Sequence, residues 1–127
     1  MDWTPISLAE LRQLIHDGES RMSPQALRLW QAIRIAPQKW SEARYGEPGG
    51  GFWVVAVIGN MAIWYNDIED GFNCTTYADA GKIDKYMCNQ DELDLAVSRI
   101  LRMIEAGEDP VRRHRAPPAA GDPPRPS

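Results

Sequence analysis

The first regular pattern along the chain is helical and begins at Ser7. Ser7 is followed three residues later by Glu10, and this spacing is the sequence signature of a capping box at the start of a helix. Ile6 and Leu11 flank the capping box as the two residues of a hydrophobic staple. The pattern predicts a first α-helix that runs from this point to about Gly18.

A second helical pattern begins at Ser23, where Pro24 occupies the first helical position. Three large apolar residues then share one helical face: Leu27, Trp30 and Ile33. Because the residue before a proline disfavours helical geometry, this helix is predicted to end before Pro37. A short turn around Trp40 is expected next, and the glycines of residues 46–51 break any regular structure.

The apolar pattern then changes to the two-residue period of β-strands. Residues 52–58 and 61–66 flank Gly59-Asn60, which suits a two-residue hairpin turn with glycine in the first central position. The register that follows from this turn places Val54 opposite Tyr65. Both faces of the first strand are apolar, which predicts a central strand covered on both sides by helices or by another subunit.

Asp70-Gly71 is a second turn signal, because both residues tolerate the positive φ that a two-residue turn requires. This turn sets residues 72–77 against residues 64–69. A further turn at residues 79–81 leads to a fourth predicted strand over residues 82–88, whose charged side chains suit an exposed sheet edge.

The last regular pattern is a helix that opens with Asn89 and Glu92, which resemble another capping box with Asn89 as the cap. Five apolar residues follow at helical spacing: Leu93, Val97, Ile100, Leu101 and Ile104. Gly107 is expected to end this helix, and Pro110 prevents its continuation.

Together these elements predict an α+β fold with two N-terminal helices, a four-stranded antiparallel meander over residues 52–88 and a C-terminal helix packed on it. The alternative is a small, strongly bent barrel of the Sm or SH3 type with the N-terminal helices outside, because short consecutive strands suit both architectures. Residues 1–107 are predicted to form a single domain.

Composition separates the final segment from this domain. Residues 108–127 contain six of the ten prolines and one large aliphatic residue, Val111, so they are predicted to be a disordered tail. The tail carries four of the 14 basic and three of the 18 acidic residues, which leaves 10 basic and 15 acidic residues in residues 1–107. An acidic domain is a poor general binder of nucleic acid, and a basic partner is the better electrostatic match.

The N-terminal residues lack the basic start and apolar region of a secretory signal. No apolar run approaches the roughly 18 residues of a membrane span. We therefore expect a cytoplasmic protein that does not bind membranes, with Cys74 and Cys88 as reduced, half-buried thiols.

Candidate chemistry concentrates in the acidic residues Asp67, Glu69 and Asp70. Their spacing does not match a calcium-binding loop, because with Gly71 at the glycine position Ile68 would be a ligand and no glutamate follows at the required distance. The sequence also contains no phosphate-binding loop and no evident Ser-His-Asp arrangement. No cofactor or metal is predicted, and the chain is not expected to be an enzyme.

Two stretches resemble a pattern in small uncharacterised bacterial proteins. They are residues 64–73, WYNDIEDGFN, and residues 88–93, CNQDEL. The similarity covers at most residues 52–101. That group has no assigned activity, so the resemblance implies no catalytic residue.

These observations lead us to expect a non-enzymatic interaction protein that holds a protein partner, or another copy of itself, through an acidic rim beside exposed aromatic rings. The expected contact residues are Trp64, Asn66, Asp67, Glu69, Asp70 and Tyr77. One alternative is an RNA-binding module of the small-barrel type, with phosphate contacts from Arg112, Arg113 and Arg115. The least favoured alternative is a metal-dependent or carboxylate enzyme built on Asp67 or Glu69.

Overall fold

The computed structural model describes residues 4–107, which form three helices and one four-stranded sheet. The elements in chain order are α1 (Leu8–Arg21), α2 (Pro24–Ile33), β1 (Arg34–Trp40), a 3₁₀ turn (Glu47–Gly49), β2 (Phe52–Ile58), β3 (Met61–Asn66), β4 (Gly71–Thr76) and α3 (Leu93–Glu105). The strands follow the order β1-β2-β3-β4, and neighbouring strands are antiparallel.

The predicted α+β fold is therefore confirmed: two N-terminal helices, a four-stranded antiparallel meander and a C-terminal helix. The sheet is open, since among the described strands β1 and β4 do not pair. The small-barrel alternative is wrong for this reason. The predicted tail, residues 108–127, lies outside the described residues.

Both N-terminal helices begin where the sequence predicts, because their caps are made by neighbouring residues. The Ser7 hydroxyl accepts a hydrogen bond from the Glu10 amide at 3.1 Å, and the Glu10 carboxylate accepts one from the Ser7 amide at 3.1 Å. The Ser23 hydroxyl accepts from the Ala26 amide at 3.1 Å in the same way. Each helix start thus satisfies amides that have no partner within the helix.

The first helix continues to Arg21 instead of ending near Gly18. Gly18 is buried against the start of α3, where an added Cβ would lie 2.9 Å from the Cβ of Leu93. This glycine therefore permits close helix packing and does not terminate the helix.

The fourth strand of the meander lies before the glycine-rich loop, not after it. The strand β1 pairs with β2, whereas residues 82–88 contain only an isolated bridge between Lys82 and Ser41. The sequence gives no clear strand signal at β1, because Pro37 interrupts the pattern. In the structure, the pairing of β1 with β2 is irregular, with a register shift between Arg34 and Gln38. Proline and bulges are tolerated at a sheet edge, which is where β1 lies.

The first hairpin has the predicted two-residue turn, with a φ of +58° at Gly59. Farther from the turn, the register shifts at Val55, so that Val54 faces Trp64 and not Tyr65. A bulge of this kind adds one residue to one strand and leaves the other unchanged. The sequence pattern contains no signal for it.

The second hairpin differs from the prediction, because its turn spans residues 67–70. Asn66 pairs with Gly71, and Asp70 has a φ of +58°. Gly71 lies in the strand, and the reason for glycine is a close contact: an added Cβ would lie 2.2 Å from the carbonyl oxygen of Asn89.

The sheet is covered on both faces, but only one of the two covers is of the kind predicted for β2, namely helices or another subunit. The three helices cover one face, and their core includes Leu11, Trp30, Val55, Ile63, Val97 and Ile100. An aromatic core lies on the other face and contains Trp40, Phe52, Val54, Trp64 and Ile83. Residues of the connections 41–51 and 77–92, such as Tyr86, complete that second core.

The third helix begins three residues later than predicted, with Glu92 as its N-cap. Asn89 does not cap it. The Asn89 amide donates to Asn73 Oδ1 at 2.9 Å, and Asn73 Nδ2 donates back to the Asn89 carbonyl at 3.3 Å. Gly107, with a φ of +80°, follows the helix end as predicted.

Candidate functional site

The predicted acidic residues lie in the turn between β3 and β4, and the buried side chain of Asn66 builds that turn. Its Oδ1 accepts hydrogen bonds from the amides of Ile68 at 3.0 Å and Glu69 at 3.2 Å. Its Nδ2 donates to the Tyr86 hydroxyl and to the Met87 carbonyl, both at 2.9 Å. Asn66 therefore positions the acidic turn, and the expectation that it contacts a partner is wrong, because it is fully buried.

Trp64, another expected contact residue, is also fully buried. Its ring centroid lies 5.0 Å from that of Phe52, and its Nε1 donates to Thr75 Oγ1 at 3.0 Å. The expectation of an exposed ring is wrong because the connections between elements cover the sheet face that the helices leave open.

Tyr77 lies at the opposite end of the sheet from the acidic turn. Its hydroxyl donates to the Gly59 carbonyl at 3.0 Å, and its ring packs edge-on against Trp40 with centroids 4.9 Å apart. The six residues of β4 separate it from the turn by about 20 Å at the usual rise per strand residue. Tyr77 and the acidic residues therefore do not form one surface.

Asp67 connects the acidic turn to the start of α1. Its Oδ2 accepts a hydrogen bond from the Ile6 amide at 2.7 Å, and its Oδ1 is buried without a hydrogen-bond partner among the described residues. Burial raises the pKa of Asp67 above its ordinary value, whereas the Ile6 amide and the charge of Lys39 act in the opposite direction. Asp67 is thus half-buried and serves to attach the N-terminal helix to the sheet.

Asp70 is exposed, and its Oδ1 accepts a hydrogen bond of 3.4 Å from the Tyr65 hydroxyl. Burial, together with the negative charge of Asp70, raises the pKa of Tyr65 to about 12. The Tyr65 hydroxyl therefore stays protonated at neutral pH and is a poor candidate for a base or nucleophile.

Two tyrosines outside the predicted contact set lie beside this turn. The ring centroids of Tyr45 and Tyr86 are 4.5 Å apart, and Tyr45 is 47% exposed. Burial raises the pKa of Tyr86, and the charge of Glu69 raises it further, while the hydrogen bond from Asn66 lowers it. Met87, which is 44% exposed, follows Tyr86 in the chain. We call Tyr45, Glu69, Tyr86 and Met87 the tyrosine–acid surface.

The position of Tyr45 is set by the buried carboxylate of Glu42. One oxygen of Glu42 accepts hydrogen bonds from the amides of Tyr45 at 2.6 Å and Gly46 at 2.9 Å. Two backbone donors compensate for the burial of this carboxylate. No local sequence signal brings Tyr45 and Tyr86 together, because they are 41 positions apart and belong to two irregular connections.

A groove of about 410 Å³ lies between α3 and the outer edge of β4. Its lining includes three of the five methionines of the chain, Met61, Met87 and Met103. Charged side chains at the groove are Asp91, Arg99 and Arg102, of which Arg99 and Asp91 form an ion pair of 2.5 Å. We call this feature the α3–β4 groove; it meets the tyrosine–acid surface at Met87.

Within residues 4–107, no three histidine, cysteine, aspartate or glutamate side chains lie together as a metal site requires. Cys74 is half-buried in the α3–β4 groove and Cys88 is exposed, and neither belongs to a disulfide. None of the described helices has the length and apolar character needed to cross a membrane.

No protein-family model matches the chain, and no curated protein or solved structure matches it either. The resemblance to small bacterial proteins at residues 64–73 and 88–93 therefore stays a prediction.

Proposed function

We propose that this chain is a non-enzymatic protein-interaction module of the cytoplasm, which binds a basic segment of a partner protein, or of another copy of itself, at the tyrosine–acid surface. The observation that carries the proposal is a packed pair of tyrosines, Tyr45 exposed and Tyr86 half-buried, next to an acidic turn. Tyr45 is the most exposed large apolar or aromatic side chain of the described residues, and its ring packs on that of Tyr86. Exposed tyrosines are enriched at protein interfaces, because they bury a large area at a small entropic cost.

The chemistry of this surface favours a cationic ligand. A lysine or arginine over the face of a tyrosine ring is attracted by about 0.5–1 kcal/mol at an exposed site and more when water is excluded. The carboxylate of Glu69 adds a direct charge interaction at the same place. The excess of acidic over basic residues in residues 1–107 favours the approach of such a ligand from a distance.

The surface is also held in place before any partner binds. Asn66 makes four hydrogen bonds that join the acidic turn to Tyr86 and Met87. Glu42 fixes the backbone of Tyr45 through two more. A preorganised surface loses less conformational entropy on binding, so a larger part of the contact energy contributes to affinity.

The described residues offer no comparable support for the two alternatives. The phosphate contacts of the RNA-binding alternative depend on Arg112, Arg113 and Arg115, which lie outside the described residues. An enzymatic role for Asp67 is disfavoured because one of its oxygens is engaged by the Ile6 amide.

The test is native mass spectrometry on the untagged protein purified from its own cells. We expect an additional protein mass, or a multiple of the chain mass, that is lost in Tyr45→Ala and Glu69→Gln. A matched control is Leu95→Ala on α3, since Leu95 is 38% exposed and lies outside the surface. Leu95→Ala should retain the complex.

The isolated complex then allows the affinity to be measured. We expect Tyr45→Ala to weaken binding about tenfold or more, as for a central interface tyrosine. Binding should also weaken as salt is added, because the ligand is basic. Equal affinity of Tyr45→Ala, Glu69→Gln and wild type would refute the proposal, and an RNA mass in place of a protein mass would favour the RNA-binding alternative.

A further inference from the structure

The α3–β4 groove is open along one side of α3 and ends close to the last turn of that helix. Met103 lines the groove four residues before Gly107. The Gly107 amide donates to the Ile104 carbonyl at 3.0 Å, and the φ of Gly107 is +80°. A left-handed residue at this position ends the helix. The described part of the chain thus ends at Gly107, about one helical turn beyond Met103 of the groove.

The chain beyond Gly107 is long enough to run back along the whole groove. The 13 residues of α3 span about 20 Å at the helical rise per residue. The eight residues from 108 to 115 span up to about 26 Å when extended. An extended segment thus reaches from the end of α3 to its beginning.

The charges along this segment match those along the groove. The segment reads EDPVRRHR, so that its first two residues are acidic and three of its last four are arginines. Arg102 lies near the end of α3, and a segment that entered the groove from this end would bring Glu108 and Asp109 toward it. The start of α3 and the adjacent turn carry five carboxylates, from Glu69, Asp70, Asp91, Glu92 and Asp94. The ion pairs found there involve two arginines, Arg21 and Arg99, so an excess of negative charge remains.

The apolar pattern matches as well. Val111 is the one large aliphatic residue of the last twenty, and it stands between the acidic and the basic parts of the segment. The apolar lining of the groove includes Met61, Phe72 and Ile100. Methionine side chains adapt to an entering apolar group because they are unbranched and flexible.

From this combination we infer that residues 108–115 of the same chain bind in the α3–β4 groove, with Val111 against the methionines and Arg112, Arg113 and Arg115 at the acidic start of α3. The segment would then reach Met87, where the groove meets the tyrosine–acid surface, and would compete there with a basic partner. The inference concerns the groove and does not depend on the function proposed above, because the segment can bind there whether or not the tyrosine pair has a partner.

The test uses the full chain with Cys88→Ser, which leaves Cys74 in the groove as the one thiol. The measured quantity is the rate at which an aromatic disulfide reagent modifies Cys74. Val111→Asp should raise this rate, and Ala119→Asp, which makes the same charge change outside the binding segment, should leave it unchanged. A groove that is occupied nine-tenths of the time would give an increase of about tenfold.

A second pair of variants tests the charge match. Arg113→Glu should raise the rate, whereas Arg125→Glu should not. Unfolding midpoints in urea identify any variant that destabilises the fold. If Val111→Asp is destabilised, the comparison of Arg113→Glu with Arg125→Glu decides whether the segment binds in the groove. Equal rates within both pairs would overturn the inference. A rate that falls with rising protein concentration would also overturn it, because the segment would then come from a second copy.

Discussion

Asp67→Asn is expected to preserve the fold and to remove a pH-dependent penalty on stability. The Asp67 carboxylate accepts a hydrogen bond from the Ile6 amide at 2.7 Å, and an asparagine carbonyl oxygen can accept the same bond. Asp67→Ala removes the acceptor and leaves the Ile6 amide without this partner. The difference in unfolding free energy between the asparagine and alanine variants should therefore be about 1–3 kcal/mol, the cost of an unsatisfied polar group.

The pH dependence has a definite sign. The pKa of Asp67 is raised in the folded protein, chiefly by burial, so the folded state binds a proton at a higher pH than the unfolded state does. The charged carboxylate consequently lowers stability above the folded-state pKa, and this penalty disappears as pH falls through the raised pKa toward the unfolded value of about 4. Asp67→Asn should be more stable than wild type at neutral pH by an amount that shrinks on acidification.

The assay is urea unfolding followed by tryptophan fluorescence, at several pH values between about 4 and 8. The difference between wild type and Asp67→Asn isolates Asp67 from the other carboxylates that titrate in this range. Lys39 donates hydrogen bonds to the carbonyls of Gly49 and Gly51, at 2.9 and 3.3 Å, and neither bond involves Asp67. A difference that is independent of pH, or equal stability of the asparagine and alanine variants, would refute the reasoning.

Three further substitutions can be tested by the same unfolding assay. Gly18→Ala should destabilise the protein, because a Cβ placed 2.9 Å from the Cβ of Leu93 costs about 1–3 kcal/mol in overpacking. This cost outweighs the gain in helix propensity of about 1 kcal/mol. A more stable variant would contradict the described packing of α1 on α3. Asn66→Ala should cost about 2–4 kcal/mol, since it leaves the Tyr86 hydroxyl and the turn amides without a buried partner; a loss below about 1 kcal/mol would contradict this role. Asn89→Ala should change stability by less than about 0.5 kcal/mol, because Asn89 is exposed and contacts Asn73 through its backbone; a loss of about 1 kcal/mol would instead indicate a capping role.

The parts of the fold that depend on neighbouring residues could be predicted from the sequence. The caps at Ser7 and Ser23 depend on a hydroxyl that accepts a hydrogen bond from an amide three residues later. The turn at Gly59 depends on a residue that adopts a positive φ. Their physical cause is local, so the pattern of residue types is sufficient.

The parts that depend on distant contacts could not be predicted. The strand β1 contains Pro37 and is formed by pairing with β2. No local sequence pattern predicts this pairing. Asn89 has the residue type of a cap, but its backbone is held by Asn73 from another strand.

The same reason explains what was missed in the candidate site. The sequence predicts acidic side chains beside a hairpin turn, but the turn spans residues 67–70 and not Asp70-Gly71. The exposed ring beside it belongs to Tyr45, which packs on Tyr86, and not to Trp64 or Tyr77. Ring exposure depends on which connections cover the second sheet face. That coverage is a property of the whole fold.

The edges of the sheet restrict the ways in which copies of this chain can associate. At one edge, Pro37 lacks an amide hydrogen and β1 is irregular. At the other edge, the Phe72 amide already donates to the Asp91 carbonyl at 2.8 Å. Strand addition between copies would need regular rows of backbone donors and acceptors at one of these edges. A homomeric complex of this protein should therefore form through side-chain contacts, and the sheet should not extend into a fibre by strand addition.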